Sequence, residues 1–443
     1  MRNKAVSERK KPAFRSFFRS FFGKRIRKPF FWNNNRKGGM VMTPLRELYE
    51  EFVREKTKNA SQSELDCLLH PRKYPVVWKV GDCSCDPGKT PECQASCLFN
   101  AIKIGSDGKL SINEDCVGCS ACIDACQAKK LVASKDILPA MKAVLESDQM
   151  VYALVAPAFI GQFSPQVTPG MLRSAFRRIG FDGMVEVAIF ADILTLKEAL
   201  EFDRNIKTES DFQLTSCCCP MWIGMIRKIY HQLMPHVPGA VSPMIACGRT
   251  IKKLHPGAVT IFVGPCIAKK AEAREKDLQG AIDYVLTFEE MQDIFDALRI
   301  KPESMRDRKR EHSSKAGRIY ARTGGVSQAV QSTLEKLAPE KSMKIKTRQA
   351  DGVPACKEMI DSLLEGRGGA NFFEGMGCVG GCVGGPKRVI NQELGRKTVD
   401  AYGEKARFET PLENPYVLEL LKRLGFDTVE ELLSDQELFT RSF

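Results

Sequence analysis

Glu374-Gly375-Met376-Gly377-Cys378-Val379-Gly380-Gly381-Cys382 sets two thiols among four glycines. Glycine lets a backbone approach a bulky group closely, and the three-residue intervening step predicts both sulfurs on one side of a helical turn. Two more segments carry cysteines in similarly unusual company: Thr215-Ser216-Cys217-Cys218-Cys219-Pro220 and Gly264-Pro265-Cys266-Ile267-Ala268-Lys269-Lys270-Ala271-Glu272. Thiolates need not be contiguous to hold one metal centre, provided the fold brings strand and helix ends together.

Upstream, Cys116-x2-Cys119-x2-Cys122-x3-Cys126 has the spacing of bacterial ferredoxins, whose fourth cysteine reaches across to a second cluster. Its partner run, Cys83-x-Cys85-x7-Cys93-x3-Cys97, keeps only the final step. Crossed ligation assigns Cys97, Cys116, Cys119 and Cys122 to one 4Fe-4S cluster, and Cys83, Cys85, Cys93 and Cys126 to another. Zinc also takes four thiolates, but eight interleaved cysteines favour two clusters in series, a one-electron wire. Cysteines at short spacing, among the 17 of the chain, point to metal in a reducing, cytoplasmic compartment rather than to disulfides. Cys67, Cys247 and Cys356 have no matching partners and read as packing residues. The longest apolar stretch, 150–161, is well short of the ~20 residues a membrane-spanning helix needs.

The net charge of +13 is unevenly placed: the first 39 residues hold thirteen Lys and Arg and one acid, Glu8, leaving the body close to neutral. Phe14, Phe17, Phe18, Phe21 and Phe22 recur among these bases. The pattern suits peripheral contact with an anionic membrane and equally a solvated tail. Lys37-Gly38-Gly39 before Met40 and Met42 also fits a ribosome-binding sequence, with translation starting at Met42. A near-neutral body gives no reason to expect nucleic acid.

The domain reading is a basic arm over 1–42, a helical lead-in over 43–78, a ferredoxin-like α+β module over 79–135, a linker helix over 136–150 and a catalytic domain over 151–443. In the last, apolar runs at 152–155 and 259–263 predict buried parallel strands, and 171–179, 194–202, 288–298, 326–337 and 357–364 read as amphipathic helices. Such alternation predicts α/β layers of two lobes, with mixed or parallel sheets flanked by helices. Helices over 415–424 and 429–439 are expected to close the chain. Gly375-x-Gly377-x2-Gly380 satisfies a dinucleotide fingerprint but lacks a βαβ setting.

The three cysteine motifs, in this order behind a ferredoxin-like module, resemble the H-cluster site of the iron-only (FeFe) hydrogenases. That resemblance implies a catalytic 4Fe-4S cluster on Cys219, Cys266, Cys378 and Cys382. By the same resemblance, Cys382 would be the thiolate that bridges to a di-iron unit carrying CO, cyanide and an azadithiolate. The resemblance also implies that Lys269 donates to a cyanide, with Glu272 beside it and Met376 packed over the di-iron unit, and that Cys218 passes protons to the bridging amine. Anchoring the first motif on Pro220 gives these roles; anchoring it on Thr215-Ser216 shifts them to Cys218 as ligand and Cys217 as relay. The first is adopted.

Two departures stand out. Gly264 occupies a place where methionine is usual, which removes bulk beside the distal iron. Gly161-Gln162-Phe163 stands where the family usually supplies proton-transferring glutamates, and an amide cannot cycle through a charged state. The implied function is reversible H2 oxidation and proton reduction, with a ferredoxin-like carrier and hydrogenase maturation proteins as partners. The alternatives are a hydrogenase-like iron-sulfur protein without the di-iron unit, and a regulatory H2 or redox sensor.

Overall fold

The computed structural model describes residues 44–83, 90–105, 109–215, 218–341 and 343–442. The expectations for the basic arm, Cys85 and Cys217 fall outside these residues.

After a helix over Pro44–Thr57 and a capped helix over Gln62–Leu69, the cysteine-rich segment forms two short antiparallel ribbons. Strand β1 (Val77–Lys79) pairs with β4 (Leu131–Ala133), and β2 (Ile102–Ile104) pairs with β3 (Leu110–Ile112). Val77, Ile102 and Leu131 pack with Cys93 and Cys122 into a small separate core. So small a core leaves much of the module's stability to whatever the thiols hold.

The helix Ile137–Glu146 leads into the larger part of the chain, built on two parallel sheets. The larger has the order β6 (Gly183–Glu186), β5 (Val151–Val155), β8 (Val259–Gly264), β9 (Tyr284–Thr287). Every residue of β5 is buried, as expected of a strand covered by helices on both faces. The smaller has the order β10 (Thr347–Asp351), β11 (Phe372–Met376), β7 (Gln213–Leu214). The prediction of mixed or parallel sheets thus resolves to parallel pairing in both lobes.

Between the lobes runs the helix Ala188–Asn205, buried on every side from 188 to 202. It packs on the helices Lys315–Ile319 and Gly325–Leu337. Its buried polar groups therefore need partners inside the protein. Asp192 accepts from Ser314 N (2.7 Å), Gly317 N (2.8 Å) and Asn414 Nδ2 (3.3 Å), and Lys197 pairs with Glu201 at 3.0 Å.

The last helix stops sooner than expected, at Ser434 rather than 439. The Asp435 carboxylate accepts from the N–H groups of Glu437, Leu438 and Phe439, which turns the chain aside and buries Phe439. Among the described residues no helix is long and apolar enough to cross a membrane.

Candidate active site and electron route

The three motifs meet because each leaves the carboxyl end of a parallel strand: the first follows β7, the second β8 and the third β11. Open α/β sheets place ligands at these ends. Cys219 caps the helix Pro220–Lys228, with proline at its first position. Trp222 of that helix donates to Thr215 O at 3.3 Å. Its ring lies so close to β11 that a Cβ on Gly375 would stand 1.9 Å from it. A Cβ on Gly377 would stand 2.4 Å from Met221. Both glycines are required for this seating, which lets Gly377 N–H donate to Cys219 Sγ at 3.3 Å.

The second and third motifs are joined by backbone, since Lys387 N donates to Pro265 O at 3.0 Å. Cys378 and Cys382 are not on a regular helical turn. Gly380 and Gly381 adopt φ of +81° and +80° before a tight turn over Gly381–Gly384. A side chain at either would run into Gln392 or the backbone at Thr323. The glycine-rich fingerprint is therefore followed by a turn and not by a phosphate-binding helix.

Cys219, Cys266, Cys378 and Cys382 lie within electrostatic reach of one another. Burial, then Cys219, pushes the Cys266 thiol up to about 11. Burial, then Cys219 and Cys266, pushes Cys382 up to about 12, against the pull of Lys269. Four thiols gathered where negative charge is costly form a set that a polycationic cluster would neutralise on binding. Among the described residues no three thiol, imidazole or carboxylate groups converge as they would on a single metal ion.

Lys269 is buried beside them and pairs with buried Glu272 at 2.7 Å. Burial opposes its charge, but Glu272, with Cys266 and Cys382, outweighs burial and holds the ammonium above its ordinary pKa. Met376 is buried at the end of β11. The absence of a side chain at Gly264 does not leave open room, because a Cβ there would lie 2.6 Å from the ring of Phe262. Phe262, two residues back on the same strand face, takes up the space that the sequence reading left vacant.

Cys218 is half-buried at the head of the first-motif helix, and the burial it has pushes its thiol well above the ordinary value, with Cys219, Glu198, Glu374 and Cys382 adding to the effect. Its thiol form is thereby favoured over the thiolate. Glu374 accepts from Gly324 N (2.8 Å) and Ser327 N (2.7 Å), and burial outweighs these bonds to raise its pKa. Glu198 was missed in the sequence because it sits in a helix read as amphipathic. The available signal was Lys197, Glu198 and Glu201 interrupting an otherwise apolar run. Gln162 Oε1 accepts from Val389 N at 2.7 Å and Ile390 N at 3.3 Å, supporting the turn behind the third motif, while its Nε2 is buried without a hydrogen-bond partner. Cys356 is closer to the site than expected, donating to Met376 O at 3.4 Å within reach of Cys219.

In the ferredoxin-like module, Cys97, Cys116, Cys119 and Cys122 line one enclosed space with Val77, Phe99 and Ile102. Ala101 N donates to Cys97 Sγ at 3.3 Å. Burial pushes Cys119 to about 11 and Cys122 to about 12, and the neighbouring thiols add to both. Cys93 and Cys126 share the small core, and Lys130 N donates to Cys126 Sγ at 3.3 Å. Cys83 is partly exposed.

The two centres adjoin. Gly118, at φ +71°, lies so close to the second motif that a Cβ would stand 3.1 Å from Ala268 Cα. Val117 packs on Gly224 of the first-motif helix, and Cys119 is within electrostatic reach of Cys378.

The sequence profile of the family described as "Iron only hydrogenase large subunit, C-terminal domain" matches residues 149–386, more than half of the chain. The chain belongs to this family. It is 26% identical over 392 residues to the NADP-reducing hydrogenase subunit HndD of Solidesulfovibrio fructosivorans, covering 74% of this chain and 66% of that one. It is 27% identical over 387 residues to Iron hydrogenase 1 of Clostridium pasteurianum, covering 76% and 66%. The chain thus spans just under two thirds of the length of these relatives. The cytosolic Fe-S cluster assembly factor NAR1 of Kluyveromyces lactis is 22% identical over 201 residues, 42% of each chain. The fold is similar to that of an [FeFe]-hydrogenase HydA1 variant from Chlamydomonas reinhardtii, with a TM-score of 0.55 at 20% identity over 68% of this chain and 97% of that one.

Proposed function

We propose that this protein is an FeFe hydrogenase that interconverts H2 with two protons and two electrons. The observation that carries the reading is the convergence of Cys219, Cys266, Cys378 and Cys382 with the protonated Cys218 and the buried Lys269–Glu272 pair. The four cysteines would hold the 4Fe-4S part of an H-cluster, with Cys382 bridging to the di-iron unit, and the donor set fits them. When bound, the di-iron unit supplies the centre at which H2 is made or split. The Gly377 N–H bond to Cys219 Sγ supports Cys219 as ligand and Cys218 as relay.

The residues of the chain divide the remaining work. Lys269 places a fixed positive charge for an anionic ligand in a dry pocket, where such a charge acts most strongly. Glu272 orients it, and Met376 closes the apolar wall. Cys218 supplies and accepts protons at its Sγ, and Glu198 and Glu374 are the carboxyl groups that face it. Cys97, Cys116, Cys119 and Cys122 would hold the accessory cluster nearer the active site, abutting Ala268. Cys83, Cys85, Cys93 and Cys126 would hold the outer one.

A ferredoxin-like carrier is the proposed electron partner, maturation proteins the suppliers of the di-iron unit, and the cytoplasm the compartment. The proposed divisions remain those at 43, 79, 136 and 151. A second reading, a cluster-only relative, is favoured by the Phe262 ring over Gly264 and by the likeness to NAR1. H2 evolution by the full chain, matured with the di-iron cofactor and given reduced ferredoxin or reduced viologen, separates the two readings: activity supports the hydrogenase, and none supports the cluster-only protein.

A further inference from the structure

A separate basic cluster lies on the first lobe, away from the cysteines. The helix Pro169–Ile179 carries Arg173 and Arg177 one turn apart, which places them on one face. Residues 305–312, Met-Arg-Asp-Arg-Lys-Arg-Glu-His, run across this helix as an irregular strap. The strap is fixed in place: Ser174 Oγ donates to Arg306 O at 2.7 Å and Arg173 Nη1 to Arg308 O at 3.0 Å. It lies directly on Gly170, where a Cβ would be 2.0 Å from Asp307 Oδ1 and 2.6 Å from the Arg308 backbone. Arg308 and Arg310 are thereby brought into electrostatic reach of Arg173 and Arg177.

The acids of the strap do not offset this charge: Glu311 pairs with Arg318, and Asp307, whose Oδ1 is buried without a hydrogen-bond partner, is not among the charges that act on Arg177 or Arg310. Glu186 is already committed, taking Arg173 Nη2 at 2.9 Å and the Tyr402 hydroxyl at 2.6 Å. Asp182 accepts from Val151 N at 2.8 Å and attracts Arg177 only as its weakest influence. Arg177, Arg308 and Arg310 have no side-chain hydrogen bond or ion pair among the described residues, and Arg177 Nε is buried without a partner. Burial and the other three arginines pull Arg310 down to about 10, and burial together with Arg173 and Arg310 pulls His312 down to about 3. Outside the described residues the chain holds only three acids, Glu8, Asp86 and Asp107, among many more bases. With Arg173 paired to Glu186, the chain therefore has little with which to neutralise the three adjoining guanidinium groups of Arg177, Arg308 and Arg310. A tetrahedral oxyanion would do so, since guanidinium forks bind phosphate oxygens in pairs.

We propose that Arg177, Arg308 and Arg310, with Arg173 fixing the strap that carries two of them, form a binding site for a phosphate group, carried either as free phosphate or on a small molecule such as a nucleotide. The proposal is independent of the reading of the cysteine site.

Calorimetric titration of the full, cluster-loaded chain with inorganic phosphate, pyrophosphate and ATP, at constant low ionic strength, tests it. Wild type is expected to bind at least one of the three with a 1:1 stoichiometry, and Arg177→Gln/Arg310→Gln to bind it at least tenfold more weakly. Equal affinity for phosphate and ATP identifies the phosphate group alone as the ligand, whereas ATP tenfold tighter identifies a nucleotide. The thermal midpoint of the unliganded double variant should equal or exceed that of wild type, because the substitutions relieve repulsion. Phosphate should raise the midpoint of wild type only. No binding by wild type, or equal binding by the variant, overturns the proposal.

Discussion

Gly377 donates its backbone N–H to the sulfur of Cys219 at 3.3 Å, across 158 positions of sequence. The bond exists because Gly375 and Gly377 carry no side chain, so that Trp222 and Met221 can lie against β11. Gly375→Val should force the first-motif helix away from that strand. Overpacking of this kind costs about 1–3 kcal/mol or more. The expected outcome is an accessory module that still binds iron and a catalytic 4Fe-4S cluster that is lost. Iron analysis with electron paramagnetic resonance checks this, and a full complement of clusters would contradict it.

Iron stoichiometry tests the division of the cysteines. Two accessory clusters and a catalytic one require roughly 12 irons per chain before the di-iron unit is inserted, and roughly 14 after. Cys219→Ala should remove about four of these, and Cys97→Ala about four others. Stoichiometric zinc with little iron would exclude the ferredoxin-like assignment.

Proton handling is open to the same kind of dissection. Cys218→Ala should keep its clusters and lose turnover by roughly 10²–10⁴, the usual weight of a general acid. Glu198→Gln should act in the same direction, whereas Gln162→Glu should not restore a path, because Gln162 faces the turn at 389–390. If Cys218→Ala instead strips the catalytic cluster and leaves turnover limited by Cys217, the motif is anchored on Thr215-Ser216.

These residues also mark how far the sequence could be read. Strands β5 and β8 were visible as continuous apolar runs because both of their faces are covered. β10, with Thr347, Arg348 and Gln349, was not, because an edge strand with a partly exposed face carries no apolar pattern. β11 was hidden within the third motif, whose cysteine spacing was read as a helical turn. That Cys219, Cys266, Cys378 and Cys382 come together was legible from their motifs. Glu198 was not, since only the burial of its helix on every side turns an ordinary polar position into one whose charge is felt at Cys218. Nor did the sequence show that Phe262 would fill the space above Gly264, a consequence of side chains two apart sharing a strand face.

Asp192 predicts a pH dependence of stability. Burial, opposed by bonds from Ser314, Gly317 and Asn414, raises its carboxyl to about 6. A folded-state value above the unfolded one means that the proton favours the fold. The contribution is complete below about pH 4 and is lost as pH rises through about 6, a difference of roughly 3 kcal/mol. Urea unfolding of wild type and Asp192→Asn between pH 4.5 and 7.5 should show the wild type losing ground to the variant as pH rises. A gain would contradict the assignment.

Infrared spectroscopy of wild type and Lys269→Ala after identical maturation tests the central claim most directly, because CO and cyanide absorb where protein is silent. Lys269 is the buried cation of the site, and its removal would leave an anionic ligand without a charge-assisted donor, a loss of about 1.5–3 kcal/mol. Wild type is predicted to show CO and cyanide bands with H2 activity. Lys269→Ala is predicted to show weak or absent bands with its 4Fe-4S clusters intact. A wild type fully loaded with 4Fe-4S clusters that shows neither bands nor activity would contradict the hydrogenase account and leave the cluster-only protein in its place.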